Sequence, residues 1–473
     1  MSVTIHQAGE SRLKTLSRLA WPAILEQLLA TLVSYVDTAM VGSMGAVSSA
    51  AVGLNAPVVW MLNGIMQGVG VGYSVLVAQA IGAREEDRAR HTIVQSVLAI
   101  LAAGLTLLTV MLLLGGAIPR WLGGEPEVLP HASAYLRIYA LSLPFGASLA
   151  VMGAIVRCMG NAKLPLLLNG AANLTNIVFN TLLIYPTREV SFRLPFRETI
   201  HEVTVWGAGL GVEGAAIATA FSIAVSGGCM LLYMFLRKDH FRLHLREDWH
   251  PDRALIRRCV QLGLPYMAER LSINFGQIAT TRIISSLGTV AVAANHIAVT
   301  AEGLCYLPAY GISYAATTLV GQSVGAGDTE GTRKYGTLSG RCGFLLCAFT
   351  GAALFLFAPQ LASLFNKDPA VVAEAAKVLR IIAPVEPLFA TFIVMAGALR
   401  GAGDTKFPMF LCLGCMWGVR VVVAPILVFG LGVGLTGVWT AMACDLVARG
   451  LGCVLRWKSG RWTKYSSISK ENT

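Results

Sequence analysis

Charge is scarce in this sequence. Only 13% of its 473 residues are Asp, Glu, Lys or Arg, about half the share of a soluble domain. A soluble chain of this length would fold as roughly three domains, each needing a charged surface. Its 37 basic and 26 acidic residues cannot clothe three. With 55% hydrophobic residues, most of the chain must use lipid as its solvent. Also missing are a P-loop, a zinc-protease His motif and a Gly-x-Ser-x-Gly elbow, and the eight His are scattered. Catalysis therefore finds no support, and we expect no cofactor. Without a nucleotide site, any transport has to draw on an ion gradient. The ten Cys lie in or beside apolar runs and form no disulfide framework. Cys412 and Cys415 lack a second ligand pair, so no metal site is expected beyond a possible Na⁺. The opening segment is polar and is followed by a run of full spanning length, which argues against a cleavable signal peptide.

What is abundant is apolar sequence and Gly, at 49 residues. Spanning-length runs occur at about 19–41, 50–80, 93–118, 132–158, 164–185, 206–236, 259–286, 292–323, 340–364, 374–399, 407–430 and 434–455. Alternate loops divide the Lys and Arg unequally. One set holds twenty-five, while the other holds Arg120, Arg188, Arg193, Arg197 and Lys367. The positive-inside rule then predicts a multi-pass protein of the cell membrane with both termini cytoplasmic. The same rule explains the net charge of +11 without nucleic acid.

The two halves repeat at an offset of 243 residues. Pro22 matches Pro265, Glu26 matches Glu269, Gln79 matches Gln322, Pro144 matches Pro387, Arg157 matches Arg400 and Gly160 matches Gly403. Later the offset falls to 223, where Gly207, Gly209, Gly211 and Gly214 match Gly430, Gly432, Gly434 and Gly437. The first half thus carries an insert near 186–205. Its alternation (Val190, Phe192, Leu194, Phe196) suggests an external hairpin. The expected fold is an all-α polytopic membrane protein of twelve transmembrane helices. They form two six-helix lobes related by a pseudo-two-fold along the membrane normal. Residues 1–236 form the N-lobe, 237–258 a cytoplasmic linker, and 259–473 the C-lobe with a short basic tail. Two similar bundles facing across such an axis suit an alternating-access carrier.

Several segments carry a resemblance: WPAILEQLLATLVSYVDTAMVGSMG (21–45), VLVAQAIGA (75–83), RCMGNAKLP (157–165), NLTNIVFNTLLIYP (173–186), LGLPYMAERL (262–271), LVGQSVGAG (319–327) and LRGAGDTKFP (399–408). Across nearly its whole length the chain resembles the multidrug and toxic compound extrusion (MATE) transporters. The resemblance implies efflux of organic, often cationic compounds, driven by inward Na⁺ or H⁺.

Asp37 stands about two-thirds along the first span, where a carboxylate costs about 2.5–3.5 kcal/mol on insertion scales. The resemblance implies cation coupling there. It also implies an Asn and then an Asp on the fifth helix, where this sequence has Asn176 and Asn180. Asn173, Asn176 and Asn180 share one helix face, and Thr219 matches a further polar position. The expected coupling site is therefore Asp37, Asn176, Asn180 and Thr219. With Asn at 180 the site has one carboxylate and several neutral oxygens. A proton needs only Asp37, whereas Na⁺ needs the surrounding oxygens, and the three Asn tilt the reading toward Na⁺. Glu26 and Glu269, each four residues after a Pro, are read evenly as coupling or gating groups or as structural partners. The carboxylates that another branch of the family has on helices seven and ten are Ile273 and Phe389 here, although Glu386 is near. Asp445 and Arg449 are expected to pair and fix helix packing. Arg157 and Arg400, with Lys163 and Lys406, read as topology anchors. Trp60, Met61, Tyr139, Tyr306, Tyr310 and Phe389 are candidates for an adaptable substrate pocket. The partners expected are small organic cations and the bilayer, with the protein a monomer. A lipid-linked oligosaccharide flippase is the alternative. It would need a strongly cationic cavity, and the spans offer only Arg270, Arg282 and Arg420 away from their ends.

Overall fold

The computed structural model describes residues 11–193, 200–244 and 246–465, with side chains outside 190–203. The charges of Arg193, Arg197 and Lys470 and the alternation from Val190 to Phe196 fall outside the described side chains.

Twelve long helical elements follow one another: α1 (Arg12–Gly42), α2 (Ala46–Gly82), α3 (Glu86–Leu114), the bent α4 (Leu129–Ala140 with Leu143–Cys158), α5 (Lys163–Leu183) and α6 (Gly211–Leu236), then α7 (Arg253–Ser285), α8 (Thr289–Gly325), α9 (Thr329–Leu356), the bent α10 (Pro369–Ile382 with Glu386–Gly401), α11 (Lys406–Gly430) and α12 (Leu435–Lys458). Eleven pass as spans by length and composition when each bent pair counts as one. The twelfth, α7, is the repeat partner of α1 and carries more charge. It begins at Arg253, inside the stretch expected to be linker, because Asp252 caps it by accepting from the Ala254 and Leu255 amides at 2.9 and 3.1 Å. A two-stranded hairpin, β1 (Pro186–Arg193) and β2 (Ile200–Ala208), occupies the insert.

The repeat is visible in local geometry. α4 and α10 bend by 51° and 56° just before Pro144 and Pro387, which cannot donate the backbone bond that would keep the helix straight. The tight turns into α2 and α8 place Gly45 and Gly288 at φ 110° and 94°, a conformation costly for any other residue. At the next turn Gly327 has φ 71°, while its counterpart in the first half is Arg84 at φ 61°, the one such non-glycine among the described residues.

The lobes meet along two antiparallel seams, α1 on α8 and α2 on α7, and where α2 packs on α8. Glycine allows the approach, as at other close helix contacts in lipid. A Cβ on Gly311 would stand 2.4 Å from the Ile24 amide, and one on Gly72 would stand 2.5 Å from the Cys259 carbonyl. Each half has its own buried cluster, one built around Leu136, Val151 and Ile155, another around Leu319, Val394 and Leu399. Outward-facing Leu113, Phe349 and Leu364 are at least three-quarters exposed, as a lipid-facing surface requires.

Candidate ion and substrate sites

In the N-lobe, α1, α5 and α6 bring the four expected coupling residues together. Asn180 Nδ2 donates to Asp37 Oδ1 over 2.7 Å. The Asn176 amide fits its neighbours best with its nitrogen 2.6 Å from Asp37 Oδ1 and its oxygen accepting from the Thr219 hydroxyl at 3.1 Å. Asn176 and Asn180 are buried and Asp37 half-buried. The Asn180 Oδ1 is buried with no donor. An acceptor left empty beside a carboxylate is costly in an apolar surround, and a cation would relieve it. The oxygens at hand are two of Asp37, two amide oxygens and one hydroxyl, a hard donor set of the kind Na⁺ takes. Asn173, on the same face, leaves its buried Nδ2 without an acceptor and does not join the network.

Arg157 and Arg400 differ from the expectation that they are loop anchors. Both turn inward. Arg157 Nη1 reaches both Glu26 carboxylate oxygens at 3.1 Å, and Asn169 Nδ2 adds a bond at 2.9 Å. Arg400 Nη2 reaches both Glu269 oxygens at 2.9 Å. The side chains in these pairs are 4–12% exposed. Burying a lone Arg or Glu in lipid is expensive, so each half satisfies the two together. The signal was in the sequence: both partners of both pairs obey the 243-residue offset.

In the C-lobe, a cavity of about 180 Å³ opens between α7, α8, α10, α11 and α12. Tyr306, Tyr310 and Phe389 line it, whereas Trp60, Met61 and Tyr139 do not. Tyr139 is buried in the N-lobe core, stacked 6.4 Å from Tyr135, and Trp60 is 63% exposed. Asp445 is fully buried and holds two cations. Arg449 Nε and Nη2 reach its oxygens at 2.6 Å, and Arg420 Nε reaches it at 2.8 Å. Arg420 projects from a π-helical stretch, Met416–Arg420, that departs from regular α-helix. Two buried acids were missed as a set: Glu302 on α8 and Glu386 on α10, both on the wall of the same lobe. An acidic residue inside the apolar run at 292–323 was the available signal for Glu302.

The duplicated Gln-x-x-Gly-Ala segments lock the lobes at the end carrying the basic loops. Gln79 Nε2 donates to the Gly401 carbonyl at 3.1 Å, and Gln322 Nε2 donates to the Cys158 carbonyl at 2.8 Å. The seam is so close there that a Cβ on Gly82 or Gly325 would fall 1.9 or 1.8 Å from the Gln322 or Gln79 carbonyl oxygen.

The MatE family model matches twice, at residues 22–182 and 265–426, the same offset that the repeat shows. The chain belongs to the MatE family. This MatE protein is 30% identical over 465 residues to the probable multidrug resistance protein NorM of Thermotoga maritima, covering 97% of this chain and 95% of that one. It is also 30% identical to the probable NorM of Pseudomonas aeruginosa, covering 97% and 92%. A crystal structure of MATE in complex with MaL6 superposes with a TM-score of 0.87 at 25% identity, over 99% of both chains. The fold is therefore that of a twelve-helix, two-lobe membrane transporter, and the chain is not an enzyme.

Proposed function

We propose that this protein is a secondary antiporter of the cell membrane, with both termini in the cytoplasm. It would export small organic compounds in exchange for inward Na⁺ or H⁺. Export of drugs is supported by the names of the NorM relatives. Coupling is supported chiefly by one observation: a half-buried carboxylate, Asp37, is held by Asn176 and Asn180, with the Asn180 oxygen left empty beside it. The network can close around a cation in two ways. With Na⁺, the carboxylate and the amide and hydroxyl oxygens turn to the ion. With a proton, the Asp37 hydroxyl donates to an Asn oxygen. The number of neutral oxygens favours Na⁺. Binding at Asp37 would draw α1 and α5 together, and α1 forms one of the seams that must shift in alternating access. Cells expressing Asp37→Asn should lose resistance while the protein level in the membrane is unchanged; retained resistance would overturn the coupling role. Everted vesicles separate the ions. Added Na⁺, with the proton gradient collapsed, should drive exchange, and no exchange under that condition would overturn the Na⁺ assignment.

A further inference from the structure

Where the lobes meet, a second and smaller chamber of about 60 Å³ lies between α2 and α4 on one side and α7, α8 and α10 on the other. Its walls follow the repeat. Gln67 and Tyr310, Ser74 and Thr317, and Arg157 and Arg400 all line it, and the members of each pair are 243 residues apart. The chamber therefore sits on the pseudo-two-fold axis. It adjoins the seam lock, because Cys158 is on its wall and Gly401 follows Arg400, and these are the residues whose carbonyls accept from Gln322 and Gln79.

The free polar groups on this wall are donors. The Tyr266 and Tyr310 hydroxyls both accept from Arg270, at 2.9 and 3.4 Å. A hydroxyl that accepts from a guanidinium turns its own hydrogen elsewhere. The Tyr266 hydrogen goes to Gln67 Oε1 at 2.9 Å, which leaves the Gln67 Nε2 with two hydrogens to give. Among the described residues neither that nitrogen nor the Tyr310 or Tyr314 hydroxyl hydrogen meets a protein acceptor. Arg400 Nε is likewise buried with no acceptor. The Ser74 and Thr317 hydroxyls, by contrast, are spent on backbone carbonyls. No carboxylate is on the wall: Glu26 and Glu269 hold Arg157 and Arg400 without lining the chamber, and Glu302 lines the neighbouring C-lobe cavity instead.

A buried donor without an acceptor is costly. Water accepts hydrogens but brings two of its own to a wall short of acceptors, whereas an anion only accepts. Arg270 strengthens the case, since a hydroxyl polarised by a cation becomes a better donor. Size limits the ligand. The volume is far below the roughly 300–1,000 Å³ of pockets that take drug-sized molecules. We propose that this chamber is a halide site bridging the lobes, with chloride accepting from Gln67 of α2, Tyr310 and Tyr314 of α8 and Arg400 of α10. Bound there, the ion joins donors of both lobes, so it stabilises the conformation in which they meet at this end and must leave when they part. The inference goes beyond the export reading and does not rest on it.

The test uses the full-length purified protein in detergent, with radiolabelled chloride as the probe in a gluconate buffer. The wild type should show a single saturable site per chain, from which bromide displaces the label and gluconate, too large for the chamber, does not. Tyr310→Phe and Tyr314→Phe each keep the ring and remove one donor, and each should weaken binding about tenfold, the size of one hydrogen bond to a charged group. Chloride should also slow hydrogen exchange at residues 79–83 and 322–326 several-fold in the wild type. Absence of saturable binding would mean that only water fills the chamber and would overturn the proposal. Undiminished binding in both variants, or displacement by gluconate as readily as by bromide, would overturn it as well. Binding with unchanged exchange would overturn the bridging role. If one variant fails to fold, the other and the wild-type competition decide.

Discussion

At the residue scale, this protein spends its few charges in pairs. Glu26 with Arg157 and Glu269 with Arg400 are the clearest, each a carboxylate and a guanidinium from different helices joined inside their own lobe. The likeness of the two pairs indicates a structural task inherited by both halves, and Asp37 has no counterpart of this kind. Removing one partner strands the other, so Glu269→Gln should cost about 3–5 kcal/mol of stability. Thermal unfolding in detergent would show it as a lowered midpoint. The double change Glu269→Gln with Arg400→Met should recover part of the loss, and no recovery would mean that the pair is not what Glu269 stabilises. Sequence alone left Glu26 and Glu269 undecided and placed the arginines in loops. The reason is physical: pairing depends on which helices lie side by side, and residues 131 apart announce nothing about that. The repeat offset was the available clue. Asp37, Asn176, Asn180 and Thr219 were legible as a set only through resemblance, since their convergence from three helices leaves no local spacing.

At the element scale, the ends of α2 and α8 decide how close the lobes come. Gln79 and Gln322 reach across to carbonyls at Gly401 and Cys158, and Gly82 and Gly325 admit the opposing backbone. A methyl at either glycine would meet a backbone oxygen that cannot move cheaply. Gly82→Ala and Gly325→Ala should each loosen this end, raising hydrogen exchange at residues 79–83 and 322–326 several-fold. Unchanged exchange would show that the seam there is not a latch. The hairpin β1–β2 is the opposite case. It contacts mainly α5 and has no equivalent in the second half among the described residues. Deleting residues 188–203 should leave export intact in a resistance assay. A well-expressed but inactive deletion would assign the hairpin a role in transport.

At the scale of the whole molecule, two copies of one six-helix unit are joined along glycine-rich seams, and the two differ in their buried polar groups. The N-lobe has the single carboxylate set in Asn and Thr oxygens; the C-lobe has the cavity, Arg270 among tyrosines, the buried Glu302 and Glu386, and the Arg420–Asp445–Arg449 group. If Asp37 couples the ion and the C-lobe cavity takes the substrate, the two act through different lobes and are coupled across the lobe interface. A lobe-specific outcome follows. Asp37→Asn should abolish ion-driven exchange yet leave equilibrium binding of a fluorescent exported compound within about threefold, measured without a gradient. A loss of binding larger than tenfold would place both functions in one site.

The sequence by itself determined the solvent, the number of spans, the duplication and the hairpin insert, because each is set by composition or by local and periodic pattern. Burying apolar runs in lipid and bending at Pro144 and Pro387 need no knowledge of neighbours. The tertiary structure decided which buried charges neutralise one another and which does not. That outcome depends on side chains brought within about 3 Å from helices far apart in the chain, and in lipid an unpaired charge is costly. The scarcity of charge becomes informative only with the pairs in view: most buried charges have a partner, whereas Arg270 has only tyrosines and Glu302 and Glu386 have no cation within ion-pair distance among the described residues.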